Sequence, residues 1–133
     1  MKYLLDTNAC IRYINGRSPQ LRARISGTPR QDVAVSMITK AEMFYGSAKS
    51  KTPQRSREKQ VEFLTTLIAL PFDDKAAVMF GPLRAELERH GTPIGQYDML
   101  IAAVALAHDL TLVTHNVGEF GRITGLQIED WEV

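Results

Sequence analysis

Residues 96–108 read Gln96-Tyr97-Asp98-Met99-Leu100-Ile101-Ala102-Ala103-Val104-Ala105-Leu106-Ala107-His108, and after two more residues comes Thr111-Leu112-Val113-Thr114. From Met99 to Ala107 the first stretch is apolar on nearly every side of a helix. It reads as a helix packed inside the molecule rather than laid on its surface. The second stretch reads as a short buried strand. A buried helix feeding a buried strand predicts layered α/β architecture, and the rest of the chain repeats the pattern. Lys2 to Leu5 is an apolar strand ended by Asp6, followed by a short helix through Ala9, Ile11, Tyr13 and Ile14 that stops at Asn15-Gly16. Pro19, Leu21 and Ile25 lie on a second helix ending near Gly27. Val33-Ala34-Val35-Ser36 is a second strand. A helix follows from Ile38 to about Ser50, and Pro53 opens another that carries Val61, Phe63, Leu64, Leu67 and Ile68. Leu70-Pro71-Phe72 offers at most a short strand, because Pro71 cannot donate to a ladder. Asp73-Asp74 opens a long helix closed by His90-Gly91, and Leu126-Gln127-Ile128 forms a last strand. The expectation is one α/β domain over residues 1–133, with a parallel sheet of four to five strands and helices on both faces.

Composition fits that reading. The chain of 133 residues has 44% hydrophobic and 23% charged residues, with 9 Gly and 6 Pro, which argues against disorder, collagen and coiled coil. Met99 to Ala107 is the longest apolar run, far short of the roughly 20 residues that span a bilayer. Asp6 interrupts any secretory leader at the N-terminus, so a cytoplasmic protein is expected. Cys10 stands alone, which leaves no internal disulfide and no cysteine-based zinc site. The net charge of +1 makes the whole molecule no magnet for nucleic acid. Its distribution is uneven: Lys49, Lys51, Arg55, Arg57 and Lys59 stand against the single acid Glu58, and Arg17, Arg22, Arg24 and Arg30 form a second basic group.

In a parallel sheet every strand ends, and every following helix begins, on one edge, and ligands bind outside the carboxyl ends of the strands. Asp6 ends the first strand, and Glu42 lies in the opening turns of the helix after the second. Asp98 lies in the first turn of the buried helix, while Asn116 and Glu119 follow the strand ending at Thr114. All five therefore fall on the same edge. Each has an ordinary structural explanation: Asp6, Thr7 and Asn8 are good helix caps, Thr39-Lys40-Ala41-Glu42 matches a capping box, Asp98 complements a helix dipole, and Asn116 suits a turn. Together they point elsewhere. Converging carboxylates repel one another and rise in pKa unless a cation joins them. An oxygen-only set of this kind suits Mg²⁺ or Mn²⁺.

Five blocks carry a resemblance: Leu4-Leu5-Asp6-Thr7-Asn8; Thr39-Lys40-Ala41-Glu42 with Tyr45-Gly46; Pro93-Ile94-Gly95-Gln96-Tyr97-Asp98 with Ile101-Ala102-Ala103; Leu112-Val113-Thr114-His115-Asn116; and Glu119-Phe120 followed by Gly125-Leu126 and Glu129-Asp130-Trp131. In this order and spacing they resemble a PIN-domain ribonuclease, and among those the VapC toxins of type II toxin–antitoxin modules, in particular the enteric type that cuts initiator tRNA in its anticodon region. The resemblance implies a Mg²⁺-dependent endoribonuclease, with Mn²⁺ able to substitute, held inactive by a VapB antitoxin and forming a homodimer. It makes Asp6 and Asp98 the principal metal ligands and Glu42 the third acid. Thr7 or Asn8 becomes the polar group that orients the site. Much of the family has a fourth Asp where this chain has Asn116, so the resemblance leaves three options: Asn116 serves as the fourth ligand, Glu119 supplies the missing carboxylate, or the site runs with three acids; one or two ions are implied.

With such a site, Lys49, Lys51, Arg55 and Arg57 become candidate RNA-backbone contacts. Tyr45, Tyr97 and Phe44 are expected in the core, which leaves no aromatic platform for bases. Phe63, Leu64 and Leu67 are expected to be exposed enough to serve a homodimer or an antitoxin groove. Two rival readings are a non-catalytic binding module, which would take up no divalent ion, and a different Mg²⁺ enzyme such as a phosphatase. Phosphatases of the haloacid dehalogenase type place a second Asp two residues after the first, where this chain has Asn8. No Gly-rich phosphate loop with a Gly-Lys-Ser/Thr motif occurs, which argues against nucleotide hydrolysis.

Overall fold

The computed structural model describes residues 1–133. Five strands, β1 (Tyr3–Leu5), β2 (Val33–Ser36), β3 (Ile68–Leu70), β4 (Thr111–Val113) and β5 (Ile128–Glu129), form one sheet in the order β3-β2-β1-β4-β5. Every pairing is parallel. Seven helices connect them: α1 (Thr7–Ile14), α2 (Pro19–Gly27), α3 (Met37–Ala48), α4 (Pro53–Leu64), α5 (Asp74–Arg89), α6 (Gln96–Ala107) and α7 (Val117–Phe120).

Alternation along the strands sorts the helices into two layers. Leu4, Ala34 and Leu112 point to one face and pack with Ala76, Leu83, Leu87, Ile101, Val104 and Phe120 of α5, α6 and α7. Leu5, Val33, Val35 and Val113 point to the other and pack with Ala9, Cys10, Leu21, Ile25, Met43, Phe63 and Leu64 of α1 to α4. Trp131, from the tail beyond β5, joins that second core, with Arg24 over its ring and Tyr3 against its edge. In α6 the run Ile101 to Ala105 is fully buried, as its all-round apolarity requires.

Several expectations shift. The third strand lies at Ile68–Leu70, so Pro71 falls just beyond it, where no ladder bond is needed of its nitrogen. A 3-10 turn at Arg30–Asp32 and the short helix α7 carry too few residues for a periodic signal. Phe63 and Leu64 are buried at 8% and 4% exposure, because α4 lays that face on the second core; they offer no docking surface. Tyr45 and Tyr97 move the other way, at 66% and 59% exposure. α3 and α6 pack through other faces, which cover Met43 and Met99 and leave the two tyrosines outside. His90-Gly91 does end α5, with Gly91 at φ +67 in the left-handed conformation a helix stop favours.

β1 is the centre of the sheet and the point where strand order turns: the chain runs outward to β2 and β3, then returns to place β4 on the opposite side of β1. The connections leave in opposite directions here and open a crevice at the carboxyl ends of the strands. Asp6, the residue after β1, stands in it.

Candidate active site

Asp6 caps α1: its Oδ1 accepts from the Ala9 amide at 2.8 Å. One carboxylate oxygen is spent on that structural duty. The residue is only 4% exposed. Burial pushes its pKa from 3.8 up to about 6; the Thr114 hydroxyl and the Ala9 amide pull it back, while the charges of Glu132 and Glu42 push it further up. Asp98 lies in the first turn of α6, half-buried, and its pKa is also raised to about 6, by burial first and then by the charges of Asp6, Glu42 and Glu119. The cap of α6 is Gly95, which offers no side chain; a Cβ there would lie 3.4 Å from Asp98 Oδ2.

Glu42 comes from the second turn of α3. The capping-box explanation fails for it, because α3 begins earlier: Ser36 is the cap and accepts from the Thr39 amide at 3.1 Å. Glu42 is fixed across the crevice instead, its Oε1 accepting from the Thr7 hydroxyl at 2.6 Å, with Thr39 Oγ1 3.1 Å from the same hydroxyl. Of the pair suggested by the sequence, Thr7 makes this contact with Glu42, whereas Asn8 is exposed. Asn116 donates its side-chain amide to Glu119 Oε2 at 3.0 Å, and its backbone amide donates to Thr114 Oγ1 at 3.0 Å. Asn116 therefore steadies Glu119, and Glu119 is the member of that pair whose charge reaches Asp98.

Four carboxylates from four separate segments, Asp6, Glu42, Asp98 and Glu119, thus share one crevice: the charge of Glu42 bears on Asp6, and those of Asp6, Glu42 and Glu119 bear on Asp98. No Lys, Arg or His forms a salt bridge with any of them. An all-oxygen set with excess negative charge and no protein cation is the donor chemistry of a hard divalent ion. Sequence reasoning missed Glu132, whose charge bears on Asp6; it sits in the tail with no periodic signal to mark it. A second group lies beside it. His115, Asp130 and Glu132 bring ligand atoms within 4.8 Å of one another, a spacing that can hold a metal ion. Its members are already engaged, His115 Nδ1 with Asp130 Oδ2 at 2.9 Å and Glu132 Oε1 with Arg12 Nε at 2.6 Å.

The basic residues divide. Arg22 and Arg24 are absorbed by structure, over the Tyr13 and Trp131 rings. Lys49, Lys51, Arg55 and Arg57 are exposed along the α3–α4 connection and the start of α4, with Lys49 Nζ 4.8 Å from the Tyr45 ring centre and Arg57 equally close to that of Phe44. Cys10 is buried beneath the site, and burial, with the charge of Asp6, pushes its thiol well above the usual range; it stays protonated and inert.

This sheet order and crevice have counterparts among known proteins. Residues 3–126 match the family model of the PIN domain. Over 132 residues, 98% of each chain, the sequence is 42% identical to the tRNA(fMet)-specific endonuclease VapC of Salmonella typhimurium. The chain belongs to the PIN-domain family, among the VapC proteins. It is also 39% identical over 133 residues, 99% of each chain, to ribonuclease VapC2 of Rickettsia felis. The crystal structure of DNA-bound VapBC from Salmonella typhimurium superposes with a TM-score of 0.93 at 41% identity, covering 98% of both chains. Relatives of this kind are named as endonucleases and ribonucleases. No helix is long and apolar enough to cross a membrane.

Proposed function

We propose that this protein is the toxin of a type II toxin–antitoxin module, a Mg²⁺-dependent endoribonuclease that hydrolyses RNA phosphodiesters. The observation that carries the proposal is the convergence of Asp6, Glu42, Asp98 and Glu119 with no cationic partner from the protein. Asp6 and Asp98 are the residues that would hold the ion, through oxygens that burial makes reluctant to stay charged alone. When bound, Mg²⁺ or Mn²⁺ supplies the Lewis acidity that offsets a phosphodiester's charge. Glu42, steadied at Oε1 by Thr7, keeps its second oxygen to orient the attacking water and accept its proton. Glu119, held by Asn116, adds negative charge beside Asp98 and supports its ligation.

The relatives' names support initiator tRNA as the RNA class, and the VapBC complexes among similar structures support a VapB antitoxin as partner; cleavage in the anticodon region by a homodimer completes the proposal. An enzyme of tRNA would act in the cytoplasm, where that substrate is found. Lys49, Lys51, Arg55 and Arg57 serve as backbone contacts in this reading. The test is to incubate purified protein with total RNA, with Mg²⁺ and with EDTA, and to sequence the new ends. Discrete ends that require the divalent ion are expected. Cleavage indifferent to EDTA, or no cleavage in Mg²⁺, would sink the proposal.

A further inference from the structure

The exposed tyrosines have no structural duty that explains them. Ile38, Ala41, Glu42 and Tyr45 recur at helical spacing, so α3 presents them on one face. Tyr97, from the first turn of α6, stands across from them. The five residues line a cavity of about 470 Å³, within the roughly 300–1,000 Å³ range of small-ligand sites. Its walls are apolar and aromatic except at Glu42, which also belongs to the acidic crevice. Lys49 closes over the Tyr45 ring with Nζ at 4.8 Å from its centre, which adds a cation at the rim.

We propose that the cavity between Tyr45 and Tyr97 receives an unpaired nucleobase next to the scissile phosphate. This rests on the nuclease reading above. A nucleotide has three chemistries, and the molecule offers each in sequence across a shared boundary. The acidic crevice, charged with a divalent ion, takes the phosphate to be cut. Tyr45 and Tyr97 offer aromatic faces to the attached base. Lys49, with Lys51 beyond it, offers cations to the next phosphate. A protein partner's apolar side chain would need neither the acid that forms one wall nor the cation at the rim. Tyrosine also suits the task because it presents a large rigid face while losing few rotamers. A base still stacked within a duplex cannot enter, so the platform selects single-stranded or loop segments. Phe44 does not line this cavity.

The experiment uses single-stranded RNA oligonucleotides carrying 2-aminopurine at successive positions around the cleavage point, bound in EDTA so that cleavage does not intervene. Quenching of the fluorophore at one position is expected with the wild type. Tyr45→Leu and Tyr97→Leu are expected to lose it and to bind about 5- to 150-fold more weakly, the worth of one base stack. Tyr45→Phe and Tyr97→Phe, which keep the ring, should retain both. An abasic residue at that position should weaken wild-type binding and leave the Leu variants unaffected. If the wild type cleaves RNA in Mg²⁺ but the Leu variants bind and quench as it does, the platform is refuted and the nuclease stands. If the Leu variants lose self-association or antitoxin binding instead, with RNA binding unchanged, the face belongs to a protein contact and the proposal is equally overturned. A wild type that neither binds nor cleaves RNA removes the nuclease reading itself.

Discussion

Replacing Asp6 with Asn isolates what burial of that carboxylate costs. Asn is nearly isosteric, and its Oδ1 can still cap α1 by accepting from Ala9. In the metal-free wild type the native carboxyl holds its proton up to about pH 6, whereas an unfolded chain releases it near 3.8. Between those values the native state binds more protons than the unfolded one, so stability falls as pH rises. A separation of roughly 2 pH units at 1.36 kcal/mol each amounts to about 3 kcal/mol lost by pH 7.5 and almost none of it lost below pH 4. Asp6→Asn has no charge to lose. It should match the wild type near pH 4 and exceed it by about 3 kcal/mol at pH 7.5, or about 10 °C in Tm for a chain of this size. Urea unfolding in EDTA, from pH 4 to 8, reads the difference directly. Mg²⁺ should then raise the wild-type curve at pH 7.5 more than the variant's, because the variant lacks one of the two principal carboxylates. Two parallel pH curves would refute the reasoning: they would mean that Asp6 is held charged at no cost by groups other than a missing cation.

Asp98→Asn is expected to abolish cleavage and weaken Mn²⁺ binding by about 10- to 100-fold or more, with Tm at least equal to the wild type's; full activity would remove Asp98 from the site. Neutralising Arg55 and Arg57 to Gln should weaken RNA binding and flatten its salt dependence by about one unit of slope for each phosphate no longer neutralised; an unchanged slope would return both to the role of solvated surface residues. Leu112→Ala, in the central core, should cost about 2–5 kcal/mol in urea unfolding, and a smaller loss would mean that the strand repacks.

The sequence determined what depends on local pattern. Strands short enough to be wholly buried, alternating with helices, pair in parallel, and that fixes the edge on which Asp6, Glu42, Asp98 and Glu119 fall. The apolar circumference of residues 99–107 likewise required a buried α6. Tertiary structure decided whatever turns on which face of a helix meets which neighbour. Tyr45 and Phe63 are both large aromatics on amphipathic helices, and nothing local tells them apart. The angles at which α3 and α4 lie on the sheet expose the first and bury the second. Where α3 begins is a matter of one hydroxyl, Ser36, and that start frees Glu42 from capping and turns it toward Thr7, thirty-five residues earlier in the chain. Glu132 reaches Asp6 because the tail beyond β5 folds Trp131 into the core and carries the next residue with it. Hydrophobic periodicity encodes which side chains avoid water, but how two buried faces pack together is a property of both at once, and the site is assembled by that packing.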